Sequence, residues 1–202
     1  KKSMITQHIT YDLTDPTIDS ALVKMKSAGC DVFVSLTTPK FAAQAIRKIA
    51  ELGWKPAHYL ASVSQSITSV LKPAGLDNAK GIISASYIME TSSPEAATDK
   101  AMQDYFAMMK AHYPSGDPHD TLNVLGYSVG STMVQVLKQC GDDLTRANVM
   151  KQAANLKGYQ PPLLVPGIDC NTSPTDYYPL KKKVLARFNG TKYESITKPM
   201  AG

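Results

Sequence analysis

Residues 30–89 decide the fold class and read CDVFVSLTTPKFAAQAIRKIAELGWKPAHYLASVSQSITSVLKPAGLDNAKGIISASYIM. Three apolar runs in this stretch, Cys30 to Leu36, His58 to Val63 and Gly81 to Met89, have the length and composition of strands. Helix-like segments separate them. Strand, helix and strand at this spacing predict right-handed crossovers, and therefore a parallel sheet of the α/β class. In such a sheet, ligands bind in the crevice at the carboxyl ends of the strands.

The carboxyl ends of the predicted strands carry hydroxyl and aromatic side chains. Thr37 and Thr38 precede a helix, so we expect their hydroxyls and the N–H groups of the helix start to face the crevice. Capping of the helix is the alternative for Thr38, and a plain polar loop is the alternative for Ser62 and Ser64. The candidate ligand-binding residues are Thr37, Thr38, Phe41, Ser62, Val63, Ser64 and Tyr87, of which Phe41 and Tyr87 are either apolar walls or core.

The composition of the 202 residues is that of a globular protein with one large or two small domains. No apolar run approaches the roughly 20 residues that span a bilayer. The first residues, KKSMITQHITY, alternate between apolar and polar and predict a strand over Ser3–Tyr11 rather than a signal peptide. A chain that starts directly in a strand is expected to have lost whatever preceded it.

The net charge of +5 comes from scattered Lys and Arg residues, with one tight run at Lys181–Lys183. A nucleic-acid-binding protein clusters its basic residues on one face, so no nucleic-acid partner is expected. A mild preference for anionic ligands is what the charge supports. Three cysteines are too few for a disulfide framework, and two alternatives remain open, a Cys140–Cys170 disulfide or three free thiols.

The rest of the chain predicts helices and one hairpin. An N-terminal helix begins at Asp15–Pro16 and ends at Gly29, and a second runs from Pro39 to Leu52. Further helices are predicted at about 66–71, 95–113, 119–139 and 145–156. The Asn189–Gly190 pair predicts a hairpin between strands at 178–188 and 192–196.

Gly126, Ser128 and Gly130 match the G-x-S-x-G pattern of serine hydrolases. That motif needs a strand before the serine, whereas Leu122 to Val136 keep a helical apolar stripe through it. All four histidines also precede Ser128, which is the wrong order for a hydrolase. The residues His112, His119 and Asp120 fit no zinc spacing, and the chain lacks phosphate-loop and dinucleotide motifs. We therefore expect neither an enzyme nor a cofactor.

The chain resembles the periplasmic substrate-binding proteins of branched-chain amino acid type ABC transporters in four blocks: TPKFAAQAIRKIAELGWKP, SVLKPAGLDNAKGIISASY, LKQCGDDLTRANVMKQAANLK and LLVPGIDCNTSPTDYYPLKK. The resemblance implies a type I periplasmic binding-protein fold, with two Rossmann-like lobes around a hinged cleft. It implies that residues 1–88 belong to the second lobe, that helices in 89–173 complete the first lobe, and that the hairpin in 174–202 returns to the second.

On that pattern the chain is the C-terminal part of a longer protein, and part of the binding site is missing from it. The resemblance implies a periplasmic, non-enzymatic protein that presents a small ligand to a membrane permease. A sensory module on the same fold is the alternative, and a hydrolase using Ser128 is a third. Uncovered apolar helix faces predict self-association or pairing with the missing N-terminal part.

Amino-acid-binding members of the family place a carboxylate just after the strand at His58–Ser62. Val63 occupies about that position here, which disfavours an α-amino acid because a buried ammonium needs an acidic partner. An aromatic or short aliphatic carboxylic acid fits the hydroxyl groups and the positive charge better.

Overall fold

The structure is a computed structural model, and it describes residues 4–92 and 94–201. The chain divides into two compact units. The first contains Lys1–Ala85 and Ala186–Glu194, and the second contains Ser86–Leu185 and Ser195–Gly202.

The first unit alternates helices and strands. In chain order its elements are α1 (Asp19–Ser27), β1 (Val32–Ser35), α2 (Pro39–Glu51), β2 (Ala57–Leu60), a 3₁₀ turn (Ser62–Ser64), a π-helical turn (Ile67–Leu71) that runs into α3 (Lys72–Ala74), α4 (Leu76–Ala79) and β3 (Ile83–Ser86). This order agrees with the predicted crossover pattern.

The sheet of the first unit is parallel where β1, β2 and β3 pair. Val32 of β1 lies opposite Ala57 of β2, and Tyr59 of β2 lies opposite Ile83 of β3. The full strand order is β1-β2-β3-β4-β5, with β4 at Lys182–Phe188 and β5 at Tyr193–Ser195. The predicted Asn189–Gly190 hairpin therefore forms, and Gly190 adopts the positive φ of 109° that its turn requires. The mixed α/β fold with a parallel-leaning sheet is confirmed.

One face of β1 and β2 is covered and the other is not. Phe33 and Leu60 are buried, and α2 packs over them with six buried side chains (Phe41, Ala42, Ala43, Ala45, Ile46, Ile49). On the opposite face Val34 is 61% exposed, and Leu36, just past the strand, is 77% exposed. Parallel sheets normally have both faces covered, so this face is unusual in its exposure.

The second unit is mainly helical. Its elements are a 3₁₀ turn (Pro94–Ala97), α5 (Lys100–His112), α6 (Thr121–Cys140), α7 (Arg146–Ala153) and β6 (Met200–Ala201), which pairs antiparallel with the first residues of β4. Its core joins residues of α5 and α6 to the proline-rich loop that precedes β4, including Met102, Tyr105, Val124 and Leu163. Cys140 and Cys170 are both buried in this core as free thiols, and Cys30 is also free.

The N-terminal prediction was wrong over the residues that can be compared. Residues 4–11 form no strand, and Ser3 lies outside the described residues. An alternating pattern makes a strand only where a neighbour supplies hydrogen-bonding groups, and β1 pairs with β2 alone among the described strands. The first helix also begins later than predicted, at Asp19 rather than Pro16, because Asp12 to Asp15 form a hydrogen-bonded turn.

Two other strand boundaries differ from the prediction. Strand β4 begins at Lys182 rather than Tyr178, and β2 ends at Leu60 rather than Val63. Among residues 4–92 and 94–201, no helix has the length and apolar character needed to cross a bilayer.

Candidate functional site

The carboxyl ends of β1 and β2 are tied together by two hydrogen bonds. The Ala61 amide donates to the Ser35 carbonyl over 2.9 Å, and the Ser64 hydroxyl donates to the Thr37 carbonyl over 2.5 Å. Ser64 is fully buried, so its hydrogen bond is shielded from water. These bonds fix the two loops that form the rim of the predicted crevice.

Thr37 faces inward at this rim. Its hydroxyl lies 2.9 Å from the Ser35 hydroxyl, and its side chain is buried. The Thr37 side chain therefore holds the end of β1 in place, and its hydroxyl already has a partner.

Thr38 occupies the N-cap position of α2 without acting as a cap. Its backbone is extended and its carbonyl accepts the Ala42 amide over 2.9 Å, but its side chain accepts no hydrogen bond from the first turn. The expected alternative, that Thr38 merely caps the helix, is therefore wrong. The Thr38 amide itself donates to the Tyr11 hydroxyl over 2.9 Å.

The first turn of α2 consequently keeps hydrogen-bond donors for another molecule. Pro39 has no N–H, and the amides of Lys40 and Phe41 have no side-chain acceptor among the described residues. The N-terminal end of a helix of this length carries a partial positive charge. The Thr38 hydroxyl and the Lys40 ammonium lie beside it in sequence, and all of these groups suit an anion.

Ser62, Val63 and Ser64 form the short 3₁₀ turn that follows β2. Ser62 is half-buried, and its hydroxyl makes no hydrogen bond to a described residue. Val63 is 53% exposed and provides an apolar surface at the rim. Ser64, by contrast, is buried, and its hydroxyl donates its hydrogen bond to the Thr37 carbonyl of the neighbouring loop.

Phe41 belongs to the core rather than to an open pocket wall. It is 1% exposed and packs against the Tyr11 ring, with the ring centroids 4.6 Å apart. The Lys40 ammonium lies 4.8 Å from the same ring. Phe41 therefore stabilises the start of α2 by packing in the core.

Tyr87 belongs to the second unit, and the six residues above belong to the first. It is half-buried against a cavity of about 330 Å³ that α6 and the loop before β4 line, and burial raises the pKa of its hydroxyl. The Lys183 ammonium lies 5.8 Å from its ring. The structure thus groups Thr37, Thr38, Phe41, Ser62, Val63 and Ser64 in one unit and places Tyr87 in the other.

Sequence reasoning missed three contributors to the rim. Tyr11 accepts the Thr38 amide, Ser35 holds the Thr37 hydroxyl, and Lys40 supplies a cation at the start of α2. Lys40 could have been found, because it is the second residue of a predicted helix beside two threonines. No local signal connects Tyr11 to a residue 27 positions away.

The motif around Ser128 lies in the middle of α6. The Ser128 side chain is buried, and its hydroxyl donates to the Val124 and Pro162 carbonyls. A nucleophile elbow requires a sharp turn after a strand, so the rejection of that motif is confirmed. The described residues contain no cluster of three or more metal-binding side chains.

The profile of the periplasmic binding protein family matches residues 2–176. The chain belongs to this family. Solved structures of branched-chain amino acid type binding proteins share its fold, and the predicted resemblance is thereby confirmed. The family and the fold are those of non-enzymatic solute-binding proteins.

Three solved structures illustrate the match. A branched-chain amino acid ABC transporter protein from Thermus thermophilus with bound valine has a TM-score of 0.76 at 16% identity, over 97% of this chain and 52% of its own. A leucine-binding protein from Thermotoga maritima has a TM-score of 0.70 at 13% identity, over 96% and 51%. A solute-binding protein from R. palustris in complex with benzoate has a TM-score of 0.67 at 18% identity, over 96% and 51%.

The chain spans about half the length of the solved structures that it matches. Among curated proteins none matches it. At these identities the solved structures show the fold of the binding protein and leave its ligand open.

Proposed function

We propose that this chain is part of a periplasmic solute-binding protein that captures a small carboxylate-bearing ligand and delivers it to the permease of an ABC transporter. Membership of the periplasmic binding protein family supports the general role. In the proposed mechanism, the ligand contacts both lobes and stabilises the closed state about a hinge. Residues 1–88 and 174–202 are proposed for one lobe and residues 89–173 for the other.

The uncapped start of α2 carries the proposal for a carboxylate. The free first-turn amides, the Thr38 hydroxyl and the Ser62 hydroxyl offer neutral donors at the carboxyl ends of neighbouring strands. A carboxylate accepts several hydrogen bonds and is favoured at a helix N-terminus. Val63 supplies apolar contact for the rest of a small molecule.

An α-amino acid fits this rim less well than a simple acid. None of the proposed rim residues is acidic, so a ligand ammonium would lose its hydration without gaining a counter-charge. Among the similar structures, one carries valine and another carries benzoate. We propose that the ligand of this chain resembles the second kind, an aromatic or short aliphatic carboxylic acid.

The test is a calorimetric and thermal-shift comparison of benzoate, isovalerate and valine. The acids are expected to bind and to raise the melting temperature, whereas valine is expected to have little effect. Thr38→Ala and Ser62→Ala should each weaken acid binding about three- to tenfold, because each removes one hydrogen bond. Ser20→Ala, which removes an exposed hydroxyl on α1, is the matched control. Stabilisation by valine alone would overturn the proposed ligand class.

We also propose that the uncovered apolar surfaces of this chain are interfaces. Val32, Val34 and Leu36 are exposed on or beside β1, and α6 exposes Val129, Met133, Val134 and Leu137 in addition to its buried face. Contiguous apolar surface of this kind is typical of interaction sites. In a protein of the relatives' length the remaining half of the chain would cover it, and in this chain alone a second copy would.

Light scattering tests the second proposal. The chain is expected to form dimers or larger species, and Val34→Ser together with Met133→Ser should shift the distribution toward monomer. The exposed pair Thr10→Ser and Thr175→Ser serves as the control. A wild-type chain that stays monomeric at high concentration would contradict the proposed interfaces without affecting the ligand proposal.

A further inference from the structure

A second cleft lies in the first unit at the amino ends of β2 and β3, away from the Thr38 rim. The end of α2, the start of β2, α4 and Arg187 of β4 enclose a volume of about 620 Å³. A four-residue strand is about 13 Å long, so β2 separates this cleft from the rim at its other end. We call it the amino-end cleft.

Cationic side chains dominate its charge. Lys55, Lys80 and Arg187 line the cleft, against one carboxylate, Asp77. None of these four groups forms an ion pair within residues 4–92 and 94–201. Three cations against one carboxylate give this concave surface a net positive charge, which attracts anions.

His58 adds a buried polar group to the same wall. It is 8% exposed, packs against Phe33 at a centroid distance of 4.9 Å and lines the cleft. Its Nε2 has no hydrogen-bond partner within the described part of the chain. Buried side-chain polar atoms nearly always have a partner, so this unsatisfied nitrogen, in a residue that lines the cleft, points to a hydrogen bond that a bound group would complete.

Burial keeps the imidazole neutral in the absence of a ligand, because it lowers the pKa of His58 to about 4. A neutral imidazole with Nε2 protonated can donate one hydrogen bond to an oxygen. An anion bound there would also favour the protonated ring and raise the pKa of His58.

We propose that the amino-end cleft binds a small oxyanion, a carboxylate or a phosphate, with Lys55, Lys80 and Arg187 as its counter-charges and His58 as its buried hydrogen-bonding group. This site is separate from the rim formed by Thr38 and Ser62, so it adds a second binding site to the proposed function. The bound anion would tie the end of α2 to β2 and β4.

Calorimetry with inorganic phosphate and, separately, with acetate tests the proposal on the intact chain. At least one anion is expected to bind, and the anion that binds identifies the class. The double substitution Lys80→Gln and Arg187→Gln should weaken binding about tenfold or more, since it removes two charge-assisted contacts. The matched control is Lys24→Gln with Lys72→Gln, two exposed cations outside the cleft.

Imidazole NMR signals provide a second readout. The anion that binds should move the His58 signals and raise the midpoint of their titration, and Thr38→Ala should leave both effects unchanged. Sensitivity to Thr38→Ala would assign the binding to the carboxyl-end rim instead and overturn this proposal. Binding of neither anion, or equal binding by the double variant, would overturn it as well.

Discussion

The two ends of the β1–β3 strands present opposite chemistry. At the carboxyl ends, hydroxyl groups and the uncapped start of α2 offer neutral hydrogen bonds, with Lys40 as a nearby cation. At the amino ends, three cations and a buried histidine surround the second cleft. Hydroxyl and amide dipoles would therefore attract a ligand at the carboxyl ends, whereas charged side chains would attract one at the amino ends.

The difference shows how each end is stabilised. At the carboxyl ends Ser35, Thr37 and Ser64 already bond to one another, so this part of the rim is formed before any ligand arrives. At the amino ends Lys55, Lys80 and Arg187 form no ion pair with a described residue, and their like charges repel one another. We infer that the rim is rigid and that the amino-end cleft becomes more stable when an anion binds.

Phe41→Ala is expected to have the largest effect, because it empties the space beneath the carboxyl-end rim. The ring is 1% exposed, and its loss should lower the free energy of unfolding by about 3–5 kcal/mol. Urea unfolding measures the change. Val34→Ala, on the uncovered face of β1, is the control and should cost much less. Comparable losses in the two variants would mean that the faces do not differ in packing.

Acidification should destabilise the amino ends through His58. Its pKa falls from the ordinary 6.5 to about 4 in the folded chain, so the unfolded chain binds the proton more tightly. The contribution of neutral His58 to the free energy of unfolding is therefore fully present above pH 6.5. It is lost as the pH falls toward 4, and the total loss is about 3 kcal/mol. Urea unfolding at pH 7 and pH 4.5 measures this loss.

His58→Gln should remove most of that pH dependence, whereas His8→Gln, at an exposed histidine, should leave it in place. Retention of the full slope in His58→Gln would show that other groups cause it. Aspartates with lowered pKa values, such as Asp19 and Asp169, titrate below their ordinary 3.8 and so act outside this window.

Ser64→Ala should have an intermediate effect confined to the carboxyl ends. It removes the buried hydroxyl that donates to the Thr37 carbonyl and leaves that carbonyl unsatisfied, at a cost of about 2 kcal/mol. Urea unfolding gives the cost, and Ser27→Ala on α1 is the control. The pH dependence assigned to His58 should not change, and a change would mean that the two ends are coupled.

Tyr11→Phe should have the smallest effect. It keeps the ring contact with Phe41 but deprives the Thr38 amide of its acceptor, at a cost of about 1 kcal/mol. Hydrogen exchange at the Thr38 amide should accelerate. Tyr177→Phe, at an exposed tyrosine, should change neither the stability nor this exchange rate.

The parallel sheet and its helices could be predicted because their signals are local. The apolar spacing of α2, with Pro39 at its start and Gly53 after its end, gave its bounds to within one residue. The Asn189–Gly190 pair likewise gave the hairpin between β4 and β5. The strand predicted over Ser3–Tyr11 failed because pairing depends on a neighbouring strand, which a local pattern does not supply.

The candidate site was predictable only in outline. Its residue types and its place at the carboxyl ends followed from the strand order and the sequence. The roles within it did not, because Thr37 and Ser64 turned out to be occupied by internal hydrogen bonds and Phe41 to be core. Each of these outcomes depends on partners that a sequence window does not contain.

The sequence by itself determined the βα order, the hydroxyl-rich carboxyl ends and the family resemblance, since these depend on residue type and spacing along the chain. The tertiary structure decided which hydroxyls stay available, and it alone placed His58, Lys80 and Arg187 around one cleft. Burial and hydrogen-bond partners are set by residues that are distant in sequence, as between Ser64 and Thr37, which are 27 positions apart. Chain folding, rather than local pattern, brings such groups together.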